Sequence, residues 1–375
     1  MGAIGQISFF VALILVILVH EAAHFAVAKA FKIKVTEFFV GFGPRLWSTR
    51  RGETEYGVKA IPAGGYVKIA GMNPYEEIAP ADLPRTYGAK PRWQRALVIV
   101  AGPATHLVLA FLFFALWLGF VGRPTSTSPL VAAVAPTLDG GVRSPAAVAG
   151  IRPGDRIVGV DGIAHPTDSQ LVAYTRKHVG EAITLTVERD GRQIRYTVTP
   201  VLATVAGRKV GRVGVELTWA RQRPGVIGSV TGGVHLVGTA IAQTVSNVGK
   251  IFGPEGLGRV VHLIFSNEPR TVKDGGPVSV VGLGRAVGQT ASAGNLWDIL
   301  YIFAIVNVFI GLLNLLPLPP FDGGHLAVLA IEKIRGRTVD MRKLAPIAAA
   351  VAAFFILFTL SVVYLDIVKP INLSP

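Results

Sequence analysis

The stretch Ile7–Ala30, ISFFVALILVILVHEAAHFAVAKA, decides the fold. Its apolar run is long enough to cross a bilayer, which takes about 20 such residues, yet it carries His20, Glu21 and His24 inside it. No Lys or Arg precedes the run, and it continues past the length of a cleavable signal, so it reads as a retained helix. Working outward, Ala96–Val121, Leu296–Leu316 and Ala345–Ile367 also reach spanning length.

Composition agrees with a membrane protein. The 375 residues are 51% hydrophobic and 16% charged, against roughly 45–50% and 25% in ordinary soluble proteins. That excludes a disordered chain and disfavours one soluble domain. The absence of cysteine excludes a disulfide scaffold, a thiol nucleophile and cysteine metal sites. A net charge of +14 fits topogenic loops and anionic lipid and gives no reason to invoke nucleic acid.

The cations also predict orientation. Residues 29–95 hold twelve Lys/Arg against six Asp/Glu, and 325–343 hold five Lys/Arg. The positive-inside tendency puts both loops in the cytoplasm and both termini outside. The segment 123–295 lies outside despite its nineteen Lys/Arg, because long domains translocate largely regardless of charge. The predicted fold is a polytopic α-helical membrane protein with about four transmembrane helices, within 1–34, 96–122, 296–324 and 345–369. Residues 35–72, punctuated by glycines, read as membrane-associated β-hairpins. Residues 73–95 and 325–344 are cytoplasmic loops. Residues 126–203 form a small extracytoplasmic α+β domain whose last two strands meet at Asp190-Gly191. Residues 204–295 are an extracytoplasmic linker with strands and an amphipathic helix, Val234 to Ile251, lying at the outer surface.

On a helix, His20 and His24 share a face and can hold one metal ion, with Glu21 beside it as general base. Ionisable groups at that depth cost several kcal/mol and are functional by default; two packing histidines beside a neutralised Glu21 is the bland alternative. Catalytic zinc takes three protein ligands. Residues 314–324, NLLPLPPFDGG, break a regular helix with three prolines. Asp322 there either caps the helix starting near Gly323 or turns back as the third ligand. His20 lies about 20 Å from the outer end of its span at 1.5 Å per residue, a depth shared with the cytoplasmic end of the third span.

HEAAH at 20–24 and NLLPLPPFDGG at 314–324 together resemble the site-2 protease family of intramembrane zinc metalloproteases, which pairs HExxH with a later NxxPxPxxDGG. GFGP at 41–44, GGYVKIAGM at 64–72 and KPRWQRALVIVAGP at 90–103 resemble its bacterial RseP-like branch, and GIRPGDRIVGVDG at 150–162 resembles a PDZ signature. The resemblance implies that His20, His24 and Asp322 bind Zn2+ and that Glu21 is the base. It implies that Asn314 positions substrate backbone or oxyanion, where the residue alone equally reads as a helix cap. It makes 126–203 a PDZ-like domain that binds a substrate carboxyl terminus or excludes bulky ectodomains. The implied activity is hydrolysis within or near the transmembrane segments of single-span proteins, such as anti-sigma factors or signal-peptide remnants. The implied place is the bacterial inner membrane, with the site toward the cytoplasm. Strands in 35–70 offer an edge for an unwound substrate. One departure is His106, where the family pattern AGPxxN has Asn; packing, hydrogen bonding to a ligand and metal contact all stay open. The rival readings are a non-catalytic metal-binding scaffold, which has no use for Glu21, and a zinc transporter, for which no inverted repeat is visible.

Overall fold

The computed structural model describes residues 2–124, 128–138, 141–205, 208–266, 268, 270, 277–292 and 296–370. The expected domain edges at 126 and 295 lie outside the described residues. The chain divides into two compact units, Met1–Leu118 with Val226–Pro375, and Gly119–Gly225.

The first unit begins with α1 (Gly2–Ala30), β1 (Val35–Arg51), β2 (Thr54–Ile69) and α2 (Arg92–Phe120). A helix apolar all round is buried or faces lipid; Ile4 at 70% and Leu15 at 55% exposure mark the lipid-facing case for α1. The two strands fold into a sheet of four segments. Residues 37–40 pair on one side with 55–58 and on the other with 65–68, while 45–51 pair with 54–59. The order across the sheet is therefore 45–51, 54–59, 35–40, 65–69. Gly41 makes the curl possible: its φ is +85°, and a Cβ there would come within 2.6 Å of the Ile61 carbonyl oxygen. One edge is 65–69. Ile33, Val35, Ile69, Tyr87, Val98 and Ile99 bury this sheet against the helices.

The second unit holds β3 (Arg123–Pro124), β4 (Leu130–Val134), α3 (Pro145–Ala149), β5 (Arg156–Val160), β6 (Ile163–Ala164), α4 (Asp168–Lys177), β7 (Ile183–Arg189), β8 (Arg192–Val198), β9 (Val201–Val205), β10 (Arg208–Arg212), β11 (Val215–Thr218) and β12 (Arg221–Gln222). The main sheet runs β11-β4-β5-β7-β8, with β6 on β5. Alternate residues Ile183, Leu185 and Val187 enter the core with Val131, Ile157, Val160, Leu171 and Val198, the period of two expected of a half-buried strand. Asp190 and Gly191 both take positive φ, 51° and 76°, which fits a two-residue hairpin turn. Thr167 and Gln170 close a capping box on α4. Arg189 donates to both carboxylate oxygens of the buried Asp155, at 2.6 and 2.7 Å. Burial pushes the Asp155 carboxyl up, but the Arg189 pair and the Arg152 backbone N–H outweigh it and hold it below the ordinary carboxylate value.

The first unit resumes with α5 (Gly225–Phe252), α6 (Pro254–Phe265), α7 (Val280–Ser292), α8 (Asp298–Asn314), α9 (Asp322–Arg335) and α10 (Ala345–Val368). Among the described residues, four helices are long and apolar enough to cross a membrane: Ile4–Ala30, Arg92–Phe120, Gly225–Phe252 and Met341–Val368. The segment 296–316, expected as the third span, forms the 17-residue α8, at the short end of the roughly 17–25 residues that cross a bilayer. The expected surface helix at 234–251 belongs instead to the 28-residue α5. That helix runs antiparallel to the end of α2: Gly232 meets Leu118, Gly233 meets Ala115, and Ala240 joins the cluster of Ala110 and Phe114. The misreading has a physical cause. The polar face of α5 up to Gly249 is Gly, Ser, Thr, Gln, Asn and His with no formal charge, and such small residues serve helix–helix contact as readily as water.

Candidate metal centre

His20 and His24 sit one turn apart on α1. Their Nε2 atoms are 3.1 Å apart, and Asp322 Oδ2 lies 3.3 Å from the first and 3.5 Å from the second. Two ligands each 2.0–2.1 Å from a tetrahedral zinc stand about 3.3 Å apart. The three separations are thus the edges of one tetrahedral face. Both histidines are buried and Asp322 is nearly so. These three residues form the metal-capable group among the described residues.

The surroundings fix the donor atoms. His24 Nδ1 donates to the Val98 carbonyl at 2.7 Å, which leaves the lone pair on Nε2. Gly102 of α2 faces the cluster, and a Cβ there would lie 2.3 Å from His24 Nε2 and 2.7 Å from His20 Nε2. The residues present therefore fit a zinc ion in donor type and spacing.

Asp322 is the first residue of α9, with Phe321 at the N-cap and no side-chain capping bond, so the capping alternative fails. The two glycines behind it explain the approach. A Cβ on Gly323 would fall 2.3 Å from the Leu315 carbonyl, and one on Gly324 2.6 Å from Pro319 N. Only bare backbone lets the first turn of α9 press on the proline-broken chain and aim the carboxylate back at α1. Glu21 faces the β-sheet edge: a Cβ on Gly65 would lie 3.7 Å from Glu21 Cγ, and the Val67 backbone lies near its carboxylate. Asn314 is the last residue of α8 and half-buried; it is not part of the three-ligand group.

His106 is 1% exposed, with its ring 4.9 Å from that of His20. Its Nδ1 pairs with Asn307 Oδ1 at 3.0 Å, and Asn307 Nδ2 donates to the Phe303 carbonyl at 2.8 Å. Gly102 and Asn307 escaped the sequence reading. A lone amide in the apolar run of α8 is itself a signal of intramembrane function or packing; Gly102 has no such local signal.

The family model described as Peptidase family M50 matches residues 8–359. The chain belongs to peptidase family M50. This is the site-2 protease family that the two motifs resemble. The M50 chain is 35% identical over 415 aligned positions to the protein named zinc metalloprotease Rip1 of Mycobacterium tuberculosis, covering 98% of each. It is 35% identical over 419 positions to Rip1 of Mycolicibacterium smegmatis, covering 100% of this chain and 99% of that one. Among solved structures, the PDZ domain of an SdrC-like protein from Listeria monocytogenes matches 26% of the chain at 18% identity and a TM-score of 0.21, too distant to bear on the fold.

Proposed function

We propose that this M50 peptidase is an intramembrane zinc metalloprotease that cleaves single-span membrane proteins within or near their transmembrane segments. The observation that carries the reading is the convergence of His20 Nε2, His24 Nε2 and Asp322 Oδ2 at 3.1–3.5 Å, with Gly102 packed against the two imidazoles.

His20, His24 and Asp322 would hold the ion. Zinc supplies Lewis acidity there, making water a nucleophile near neutral pH and polarising the scissile carbonyl. Glu21 accepts the proton of the attacking water and returns it to the leaving amide nitrogen. The Glu21 carboxylate lies beside the sheet edge, where a substrate backbone passes. A helical substrate hides its carbonyls in its own hydrogen bonds and must unwind first. The edge 65–69 offers backbone partners to the unwound stretch, offsetting polar groups otherwise bare in lipid. Asn314, at the break between α8 and α9, serves to hold substrate backbone or oxyanion.

The same reading places the protein in a bacterial inner membrane, multi-pass, with the site toward the cytoplasm, supported by the basic loops 29–95 and 325–343. It treats 126–203 as an extracytoplasmic PDZ-like domain, supported by GIRPGDRIVGVDG at 150–162. Anti-sigma factors and signal-peptide remnants are the substrate classes. Deleting 126–203 separates its two roles: wider cleavage marks a size filter, lost cleavage marks recruitment.

The test is reconstitution in vesicles with a model single-span substrate. Wild type cleaves and a chelator stops it; Glu21→Gln retains zinc and loses cleavage. Turnover by the Glu21→Gln chain, or turnover indifferent to chelation, overturns the reading.

A further inference from the structure

His106 is left unexplained by that chemistry, and its surroundings are specific. The Phe303 carbonyl takes a hydrogen bond from Asn307 Nδ2, so Asn307 Oδ1 must be the atom turned to His106. An amide oxygen only accepts, so His106 Nδ1 carries the proton and its Nε2 carries a lone pair. On the other side stands His20. When its Nε2 is a metal ligand, its Nδ1 must be protonated and needs an acceptor. That Nδ1 is buried with no hydrogen-bond partner, in a residue 7% exposed. The His106 ring is 4.9 Å away, tilted 40° to it, and α8 seats it by bringing Gly311 to where a Cβ would lie 3.0 Å from His106 Cβ.

We infer that His106 is a positioning residue for the metal centre: its Nε2 is the acceptor onto which the His20 Nδ1–H closes when His20 Nε2 ligates the ion. The polar chain then runs from the Phe303 carbonyl through Asn307 and His106 to His20, each tautomer set by the one before. It parallels the fixing of His24 by the Val98 carbonyl, so each imidazole ligand has its own orienting acceptor. The inference rests on the metal site proposed above. His106 is not itself a ligand: its acceptor lone pair is spent on His20, and three ligands already complete the protein share of a catalytic zinc site.

The test uses the purified full chain in detergent and reads metal binding apart from proteolysis. His106→Leu keeps bulk and removes the acceptor. His106→Asn restores one donor and one acceptor. Zinc affinity is measured by competition with a chromogenic chelator, and cobalt is substituted to read the ligand field. Loss of an orienting partner typically costs about 10- to 100-fold in metal affinity. His106→Leu is expected to show that loss with shifted cobalt bands, and His106→Asn to recover most of it. Zinc affinity within about twofold of wild type and an unchanged cobalt spectrum in His106→Leu would overturn the inference, the measured penalty being otherwise tenfold or more. Should His106→Leu fail to fold by its melting curve, Asn307→Leu carries the test, with a loss in the same direction expected and wild-type affinity refuting it. A wild-type chain that binds no zinc sinks the metal reading itself, an outcome distinct from wild-type binding left untouched in the variants.

Discussion

Arg95 Nη1 and Glu332 Oε2 meet at 2.9 Å with side chains 13% and 4% exposed. The pair ties α2 to the far end of α9, the helix whose first residue is Asp322. Arg92 adds a bond to the Glu332 carbonyl, and Val339 N–H donates to Glu332 Oε1. The helix that begins at Asp322 is therefore fixed at its remote end to the helix that carries Gly102 and Val98.

Removing one partner of a buried ion pair strands the other charge and typically costs about 3–5 kcal/mol, whereas replacing both with apolar groups is often neutral. Arg95→Met and Glu332→Leu should each lower stability by about that amount, and the double variant should recover most of it. Denaturant unfolding in detergent checks this. Equal losses in the singles and the double would show that the pair is not what holds the two helices.

Gly102→Ala should cost both stability and metal. Alanine is the better helix former by about 1 kcal/mol, but a methyl group 2.3 Å from His24 Nε2 and 2.7 Å from His20 Nε2 overlaps buried atoms, and such overpacking typically costs about 1–3 kcal/mol. The metal-free variant should melt below the metal-free wild type, and elemental analysis should find most of the zinc gone. Full zinc content would show that α2 yields without disturbing the two imidazoles.

The Val67 backbone, on the sheet edge beside Glu21, should matter for cleavage and not for metal. Proline is tolerated on an edge strand where the N–H faces away from the ladder. Val67→Pro should leave the pairing of 65–69 with β1 in place and remove one backbone donor from the free edge. Cleavage should fall while zinc content stays at the wild-type level. Undiminished cleavage would argue against strand addition.

The Asp155–Arg189 pair makes a pH-dependent prediction for the 119–225 unit. The folded carboxyl titrates below its unfolded value of about 3.9. Its stabilisation is therefore fully present above about pH 4 and is lost as pH falls through the lowered folded value. Limited proteolysis of that unit in the intact chain should show a constant gap between wild type and Asp155→Asn at neutral pH. The gap should narrow below about pH 4. A gap undiminished at acid pH would assign the stabilisation to packing instead of charge.

How much of this is legible in the sequence varies with range. The i, i+4 spacing of His20 and His24 puts both imidazoles on one face by helix geometry alone. Pro317, Pro319 and Pro320 announce a broken helix, and the glycines after Asp322 announce a close backbone approach. The partners of these residues are long-range facts. Nothing local tells that Gly102 faces the histidines, that Asn307 reaches His106, or that residues 37–40 pair on both edges at once. The glycines at 41 and 43 forecast turns but not the four-segment order. Helix α5 was misplaced because small polar residues read alike on a wet face and on a packed one.

His20 and His24 lie on α1, and their carboxylate companion lies on α9. A nascent chain leaving the ribosome thus inserts its two imidazoles early and goes on for most of its length without the group that completes them. On the proposed ligand set, a product that stops before residue 322 holds a two-point chelate at best, and biogenesis withholds the competence to cut until nearly the whole polypeptide has been made.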